Sequence, residues 1–469
     1  MDIDHWRALL PLPEELPGYL AVARGIRGMA MDGRLGAGAR LPSERTLALA
    51  LGVSRTTITR AYGELVASGW ARARQGSGTT VILPTGERAP SFPLIPGLRT
   101  DAIDLSAAAG LAPSGTAAII RGALEWLPST LNSAGYEPFG APHLRRRIAD
   151  WYGGRGLATD PDQIVVTAGA MTAVSVAMHS LLGPGERIVV DSPTYPGALG
   201  AIEAVRARAV SVPLVTGWDV AGWEEALRRS KAGAAYLIPD FHNPTGLLMP
   251  GGQRVELAGL LARHDCVPII DETLVELNLS GLHLPAPFAV ADGRAITIGS
   301  LSKVLWGGIR IGWLRCPPAR LDAVRTRALQ LGLGASALDQ LVATSYFEEA
   351  APVREEVVGR LARARDTWLA ELADRLPEWR VRPPDGGLAL WVELPRRASS
   401  ELALAASTRH LLLTPGPRFS ADRTQTNRLR LPLTLPPDVI GEAVARLAAA
   451  WDDVVSGVRV AVGRDAVAL

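Results

Sequence analysis

The chain has 469 residues, 48% of them hydrophobic and 20% charged, which is room for two or three domains at about 100–200 residues each and too apolar for an extended disordered chain. Basic residues number 49 against 47 acidic ones, a net charge of +2, so only a local basic cluster can signal nucleic acid. Among the basic residues only Lys231 and Lys303 are lysines, so any chemistry that needs an amine has two candidates.

Cys266 and Cys316 form no CxxC pair and are too few for a secreted disulfide scaffold. The opening MDIDHWRALLPLPEELPGYL puts acids and prolines where a signal peptide carries basic residues and then an apolar core. No apolar run is long enough to span a bilayer. A cytoplasmic protein is expected.

From about residue 12 to 83 the pattern predicts short helices followed by a hairpin. Tyr19, Val22, Ile26 and Met29 recur at helical spacing until Asp32-Gly33. A second helix is expected behind the N-cap Ser43 and a third behind Ser54, closed by Gly52 and Gly69. Trp70–Arg74, a turn over Gln75–Gly78 and Thr79–Leu83 then read as a β-hairpin. The whole predicts a winged helix-turn-helix. Its basic residues Arg40, Arg45, Arg55, Arg60, Arg72 and Arg74 outweigh Glu44 and Glu64. Ser54, Arg55, Thr56 and Thr57 fall where a recognition helix begins, with Arg55 suited to guanine and Thr57 to phosphate or a thymine methyl. Arg72 and Arg74 share one face of the wing. An Arg-rich packing module is the competing reading.

The runs Gly33–Arg45, Leu51-Gly-Val-Ser-Arg-Thr-Thr57 and Gln75-Gly-Ser-Gly-Thr79 resemble the GntR family of bacterial transcription regulators almost end to end. That resemblance implies binding to double-stranded promoter DNA through Arg45, Arg55, Thr57 and the wing glycine Gly76.

Residues 84–103 carry four prolines and no period, as a semi-stiff tether would. Beyond them, Gln163–Thr167, Arg187–Val190, Ala234–Pro239, Val267–Ile270 and Ala295–Gly299 are short apolar runs separated by helical patterns. A mostly parallel sheet wrapped by helices is expected. Lys303 follows the last of these strands in Ser300-Leu-Ser-Lys303, with Arg310 seven residues on. A lysine at a buried strand end can form a Schiff base with an aldehyde cofactor, and hydroxyls with an arginine suit its phosphate. Lys231, after two arginines at a helix end, reads as a surface charge. Asp271 closes a strand and can hold a pyridine nitrogen protonated. Asn243 can donate to a ring hydroxyl, and the N–H groups of Gly169-Ala-Met-Thr172 can cradle phosphate at a helix start. Singly, each feature also fits a cap or a turn.

Asp191-Ser-Pro-Thr-Tyr-Pro196, His242-Asn-Pro-Thr-Gly246, Asp271 and Ser300-Leu-Ser-Lys303 with Gly308-Ile-Arg310 look like the fold-type I aminotransferases over about residues 104–455. The resemblance implies pyridoxal 5'-phosphate with Lys303 as its Schiff-base lysine and Tyr195 stacked on the ring. Asn243 and Asp271 take the ring oxygen and nitrogen. Ser300, Ser302, Arg310 and the Ala170 and Met171 backbone hold the phosphate, helped by Tyr136 from across a dimer. Arg430, ahead of Arg428, grips a substrate carboxylate. The family usually has a tyrosine shortly after the nitrogen-binding acid; here Thr273 is a shorter partner for the ring oxygen, which weakens the case for full turnover.

The expected layout is therefore a reader (1–83), a Pro-rich linker (84–103) and an α/β aminotransferase-like body (104–469) with a smaller C-terminal α+β subdomain. This fusion resembles the MocR, or GabR-like, subgroup of GntR-family regulators. It implies a sensor of an amine, an amino acid or the cofactor itself, built as a head-to-tail homodimer with each reader over its partner's body. A working aminotransferase that also binds DNA is the alternative, and a binding module without cofactor a third.

Overall fold

A computed structural model describes Trp6, Leu10 and residues 18–31, 34–36, 38–74, 78–82 and 102–457. The expected wing turn with Gly76, and nearly all of the linker, lie outside the described residues.

The reader begins with α1 (Gly18–Met31), which turns Val22, Ile26 and Met29 inward. Ser43 caps α2 (Glu44–Leu51) by accepting the Thr46 N–H at 3.1 Å, and Gly52 ends it in the left-handed region at φ 67°. Ser54 caps α3 (Arg55–Ala67) in the same way through the Thr57 N–H, at 3.1 Å. Tyr62 of α3 donates to the Pro42 carbonyl at 2.8 Å, which ties the third helix to the entry of the second. β1 (Ala71–Arg74) and β2 (Gly78–Val81) pair antiparallel, Arg72 opposite Thr80. The returning strand stops at Val81, short of the expected Leu83, and Leu83 itself lies outside the described residues.

The body opens at β3 (Ile103–Asp104), one residue earlier than expected. α4 (Thr116–Leu124) and α5 (Pro142–Gly154) precede a seven-stranded sheet. Its elements in chain order are β4 (Ile164–Thr167), α6 (Ala170–Leu181), β5 (Arg187–Ser192), α7 (Pro196–Ala204) and β6 (Arg208–Pro213). There follow α8 (Val220–Ser230), β7 (Ala234–Leu237), α9 (Gly251–Arg263), β8 (Val267–Asp271), β9 (Ile296–Ser300) and β10 (Gly312–Arg315). The spatial order is β4-β10-β9-β8-β7-β5-β6. Strands β6, β5, β7, β8 and β9 are mutually parallel, and only β10 runs against its neighbours, so the expected parallel sheet holds with one reversed strand. The β4 strand starts at Ile164 because Asp160 caps a 3-10 turn over Pro161–Gln163.

Helices α10 (Leu321–Leu331), α11 (Ala337–Glu348) and the long α12 (Ala350–Arg375) lead to the smaller subdomain. There β11 (Arg380–Val381), β12 (Ala389–Glu393), β14 (Thr414–Pro415) and β15 (Arg428–Pro432) form a four-stranded antiparallel sheet. Helix α13 (Ser399–Ser407) packs on its β14, α14 (Pro437–Val455) packs on α12 and α13, and β13 (Leu411–Leu412) pairs with β3. Among the described residues no helix is long and apolar enough to cross a membrane. The reader's α1 packs against α13, and the expected placement of each reader over its partner's body concerns a second chain.

Candidate functional site

The parallel strands β5, β7, β8 and β9 all end at one edge of the sheet, the edge where α/β proteins gather ligands. Each delivers a residue there. Lys303, just past β9, donates from Nζ to the Ala108 carbonyl at 3.0 Å. Burial, then the nearby Arg430, pulls its amine down to about 8, while Asp271 acts in the opposite sense. Asp271 is buried at the end of β8 with both oxygens engaged. Oδ2 accepts the Tyr236 hydroxyl at 2.6 Å, and Oδ1 accepts the Thr273 N–H at 2.9 Å. Thr273 thus contributes its backbone to orienting the acid.

Tyr195 precedes α7, and burial followed by the nearby Asp271 charge pushes its phenol up to about 12. Gly197 must be glycine: a Cβ there would stand 2.5 Å from the Tyr195 ring. Asn243 stands half-buried in the loop after β7, which is closed by the Gly246 N–H on the His242 carbonyl at 2.6 Å. His242 binds Thr245 Oγ1 through Nδ1 at 3.0 Å, and its Nε2 lies 3.7 Å from Asp191 Oδ2. Trp218 donates to that same carboxyl oxygen at 3.1 Å.

The corner between β10 and the start of α6 is built by close approach. A Cβ on Gly312 would lie 2.5 Å from the Gly169 carbonyl carbon, so β10 lies directly against the start of α6, where Ala170 and Met171 follow. Gly169 sits at φ 91°, with Arg310 Nη2 only 2.8 Å from the place of a Cβ. Arg310 itself is left-handed at φ 42° and donates to the Ala168 carbonyl at 3.2 Å. Ser300 Oγ accepts the Ser302 N–H at 3.1 Å and lies 3.0 Å from Ser302 Oγ. A helix N-terminus, two hydroxyls and an arginine converge as an anion cradle. These residues fit pyridoxal phosphate: a depressed amine, a buried oriented acid and the cradle share one strand edge.

Arg430 faces the site from β15. It is buried and donates from Nη2 to the Ser106 and Leu105 carbonyls, the second at 3.4 Å. Burial pulls its guanidinium down to about 10, and its Nε has no partner among the described residues. Arg428, two residues earlier on the same strand, is paired with Glu393 at 3.3 Å. Tyr136 is not brought into this site within the chain; it stands 69% exposed. Tyr236 escapes the sequence reading because an aromatic inside an apolar run looks like packing, and Trp218 because nothing in Thr-Gly-Trp-Asp shows that its indole will meet Asp191. Lys231 ends α8 as an exposed left-handed cap at φ 52°, as a surface charge should.

In the reader, Arg45, Ser54, Arg55 and Thr56 are exposed, with Thr57 half-buried. Arg55 Nε rests 3.3 Å from Glu44 Oε2, across the turn between α2 and α3. Arg72 is exposed on the wing, and the side chain of Arg74 lies outside the described residues.

Known proteins agree with both halves. The family model for class I and II aminotransferases matches residues 103–447, and that for gntR-family bacterial regulatory proteins matches 18–81. The chain is 29% identical to the HTH-type transcriptional regulator YdcR of Escherichia coli, over 86% of this chain and 92% of that one. It is also 29% identical to the pyridoxine biosynthesis regulator PdxR of Corynebacterium glutamicum, over 80% and 83%. The α-aminoadipate aminotransferase LysN of Thermus thermophilus, solved with N-(5'-phosphopyridoxyl)-L-leucine, superposes with a TM-score of 0.69 at 27% identity, covering 76% of this chain and 94% of that one. The chain thus belongs to the class I and II aminotransferase family, carried behind a GntR-type reader as in the MocR-type transcription regulators.

Proposed function

We propose that the protein is a cytoplasmic, homodimeric regulator that binds promoter DNA through α3 and the wing and senses an amine, an amino acid or pyridoxal phosphate itself in its body. Bound pyridoxal phosphate supplies an aldehyde that captures amines and a ring that withdraws electrons. The chain's residues hold it. Lys303 provides the attachment point, Asp271 the partner for the ring nitrogen, Asn243 and Thr273 the partners on the ring-oxygen side, and Tyr195 the stacking face. Ser300, Ser302, Arg310 and the N–H groups of Ala170 and Met171 take the phosphate, with Tyr136 lent from the second subunit.

The observation that carries the sensor reading is Arg430, a buried cation facing Lys303 and Tyr195 from the C-terminal subdomain with its Nε unused among the described residues. A buried guanidinium of that kind is suited to a ligand carboxylate. The similarity to a regulator named for pyridoxine biosynthesis supports the cofactor itself as a second effector class.

The test is DNA affinity of the full chain, titrated with pyridoxal phosphate and with amino acids, beside an assay for keto-acid formation. Affinity that responds to ligand without turnover supports the regulator. Sustained turnover with no change in DNA affinity would replace it by the enzyme reading.

A further inference from the structure

The reader is fastened to the body at one defined point. Arg24 on α1 donates from Nε to Glu401 Oε2 on α13, and from Nη2 to the Val454 carbonyl near the end of α14 at 3.0 Å. Leu404, three residues beyond Glu401 and so on the same helix face, is built into the reader's own hydrophobic core. Behind this contact α13 is buried along nearly its whole length. Its other neighbours are α14, β13, β14 and the 3-10 turn Gly416–Phe419.

That turn adjoins the ligand side of the body. The Arg430 guanidinium carbon lies 5.5 Å from the centre of the Phe419 ring. The Phe419 carbonyl accepts the Thr194 N–H at 2.7 Å, one residue before Tyr195. In this form Arg430 spends Nη2 on the Leu105 and Ser106 carbonyls. A carboxylate is the stronger acceptor and takes over those donors. Arg430 then shifts against Phe419, and a close-packed turn moves as a block instead of yielding. Buried on its remaining sides, α13 passes the shift to its contact with α1.

Resting on the sensor reading above, we propose that Arg24, Glu401 and the Val454 carbonyl form a latch between reader and body that opens when a ligand carboxylate engages Arg430. The trigger is the carboxylate and not occupation of the cofactor cradle.

Full-length protein stripped of cofactor and loaded with either pyridoxamine phosphate or N-(5'-phosphopyridoxyl)-L-leucine separates these, because only the second carries a carboxylate. Amide hydrogen exchange over α1 and α13 is the readout. The leucine adduct should speed exchange there about tenfold, the worth of one charge-assisted contact, relative to pyridoxamine phosphate. Glu401→Gln should exchange fast with either ligand, and Arg24→Lys, which keeps an N–H donor for both Glu401 and the Val454 carbonyl, should retain the difference. Equal protection with both ligands in the wild type overturns the latch and leaves the sensor reading standing. Failure of the adduct to bind at all, read from its absorbance, overturns the sensor reading and the latch with it.

Discussion

Burial moves the titrating groups around the cofactor edge in opposite directions. It pushes the Asp191 carboxyl up to about 8 despite the Trp218 and Trp223 indole N–H groups, and pulls the neighbouring His242 imidazole down to about 3. Both are uncharged near neutrality, so no ion pair spans their 3.7 Å. A carboxyl that keeps its proton only in the folded state stabilises the fold at low pH, and that contribution drains as pH rises from 3.8 to about 8. His242 works with the opposite sign, but only between about 3 and its ordinary 6.5. Above 6.5 the Asp191 effect has no opposition from His242, so unfolding stability should fall by about 1–2 kcal/mol between pH 6.5 and 8. Asp191→Asn should flatten that slope in urea titrations; a slope kept by the variant would remove Asp191 as its source. Lys303, lowered to about 8, is half neutral there, where an ordinary lysine is under about 1% neutral. Capture of pyridoxal phosphate by stripped protein should therefore quicken with pH and level off just above 8. Lys303→Ala should abolish the visible band of the attached cofactor, and a band that survives would move the attachment elsewhere.

At the scale of elements, α3 carries the DNA claim. Arg55 is held near Glu44 by an exposed pair of 3.3 Å, and such pairs are worth only about 0–1 kcal/mol. A bidentate contact to guanine is worth about 1–3 kcal/mol, so DNA wins the arginine. Arg55→Ala should cost about ten- to a hundredfold in specific affinity, measured against scrambled DNA, with the cofactor band unchanged. Equal loss on both DNAs would make Arg55 a phosphate contact instead. The capping serines make α2 and α3 readable from sequence alone, because Ser43 and Ser54 announce their helices and Gly52 closes the first. Likewise Asp271 and Lys303 stand out, less as single charges at strand ends than because they occur in order with Asn243 and Arg310. Tyr236 does not, because nothing in Ala-Ala-Tyr-Leu says that its hydroxyl will reach Asp271 from the neighbouring strand. The choice of Arg430 over Arg428 needs β-sheet register as well: opposite Arg430 stands Trp391, and opposite Arg428 the acid Glu393 that pairs with it. Long-range packing also decides where the reader docks, and no local pattern encodes Arg24 meeting Glu401.

At the scale of the molecule, the homodimer reading has one chain leave its cofactor edge incomplete. Tyr136 stands 69% exposed, and Trp126 and Leu131 in the same segment are 63% and 71% exposed. Leu111 and Leu333 are exposed at 74% and 62%. Large exposed apolar side chains within one segment, as Trp126, Leu131 and Tyr136 are, fit a protein interface, and a second copy of the chain is the occupant that the homodimer reading supplies. The arrangement makes a sharp prediction about Tyr136. A hydroxyl bonded to a phosphate is worth about ten- to a hundredfold in affinity, so Tyr136→Phe should weaken cofactor binding by that amount. Lys303→Ala should prevent attachment outright. If each site takes its tyrosine from the other subunit, a mixed dimer of the two variants holds one site with both residues intact and one with neither. Co-expressed and purified as a heterodimer, it should therefore bind cofactor at half of its sites with wild-type affinity and leave the other half empty. If the tyrosine served its own chain, no site in the mixed dimer would combine Lys303 with Tyr136, and tight binding would not return.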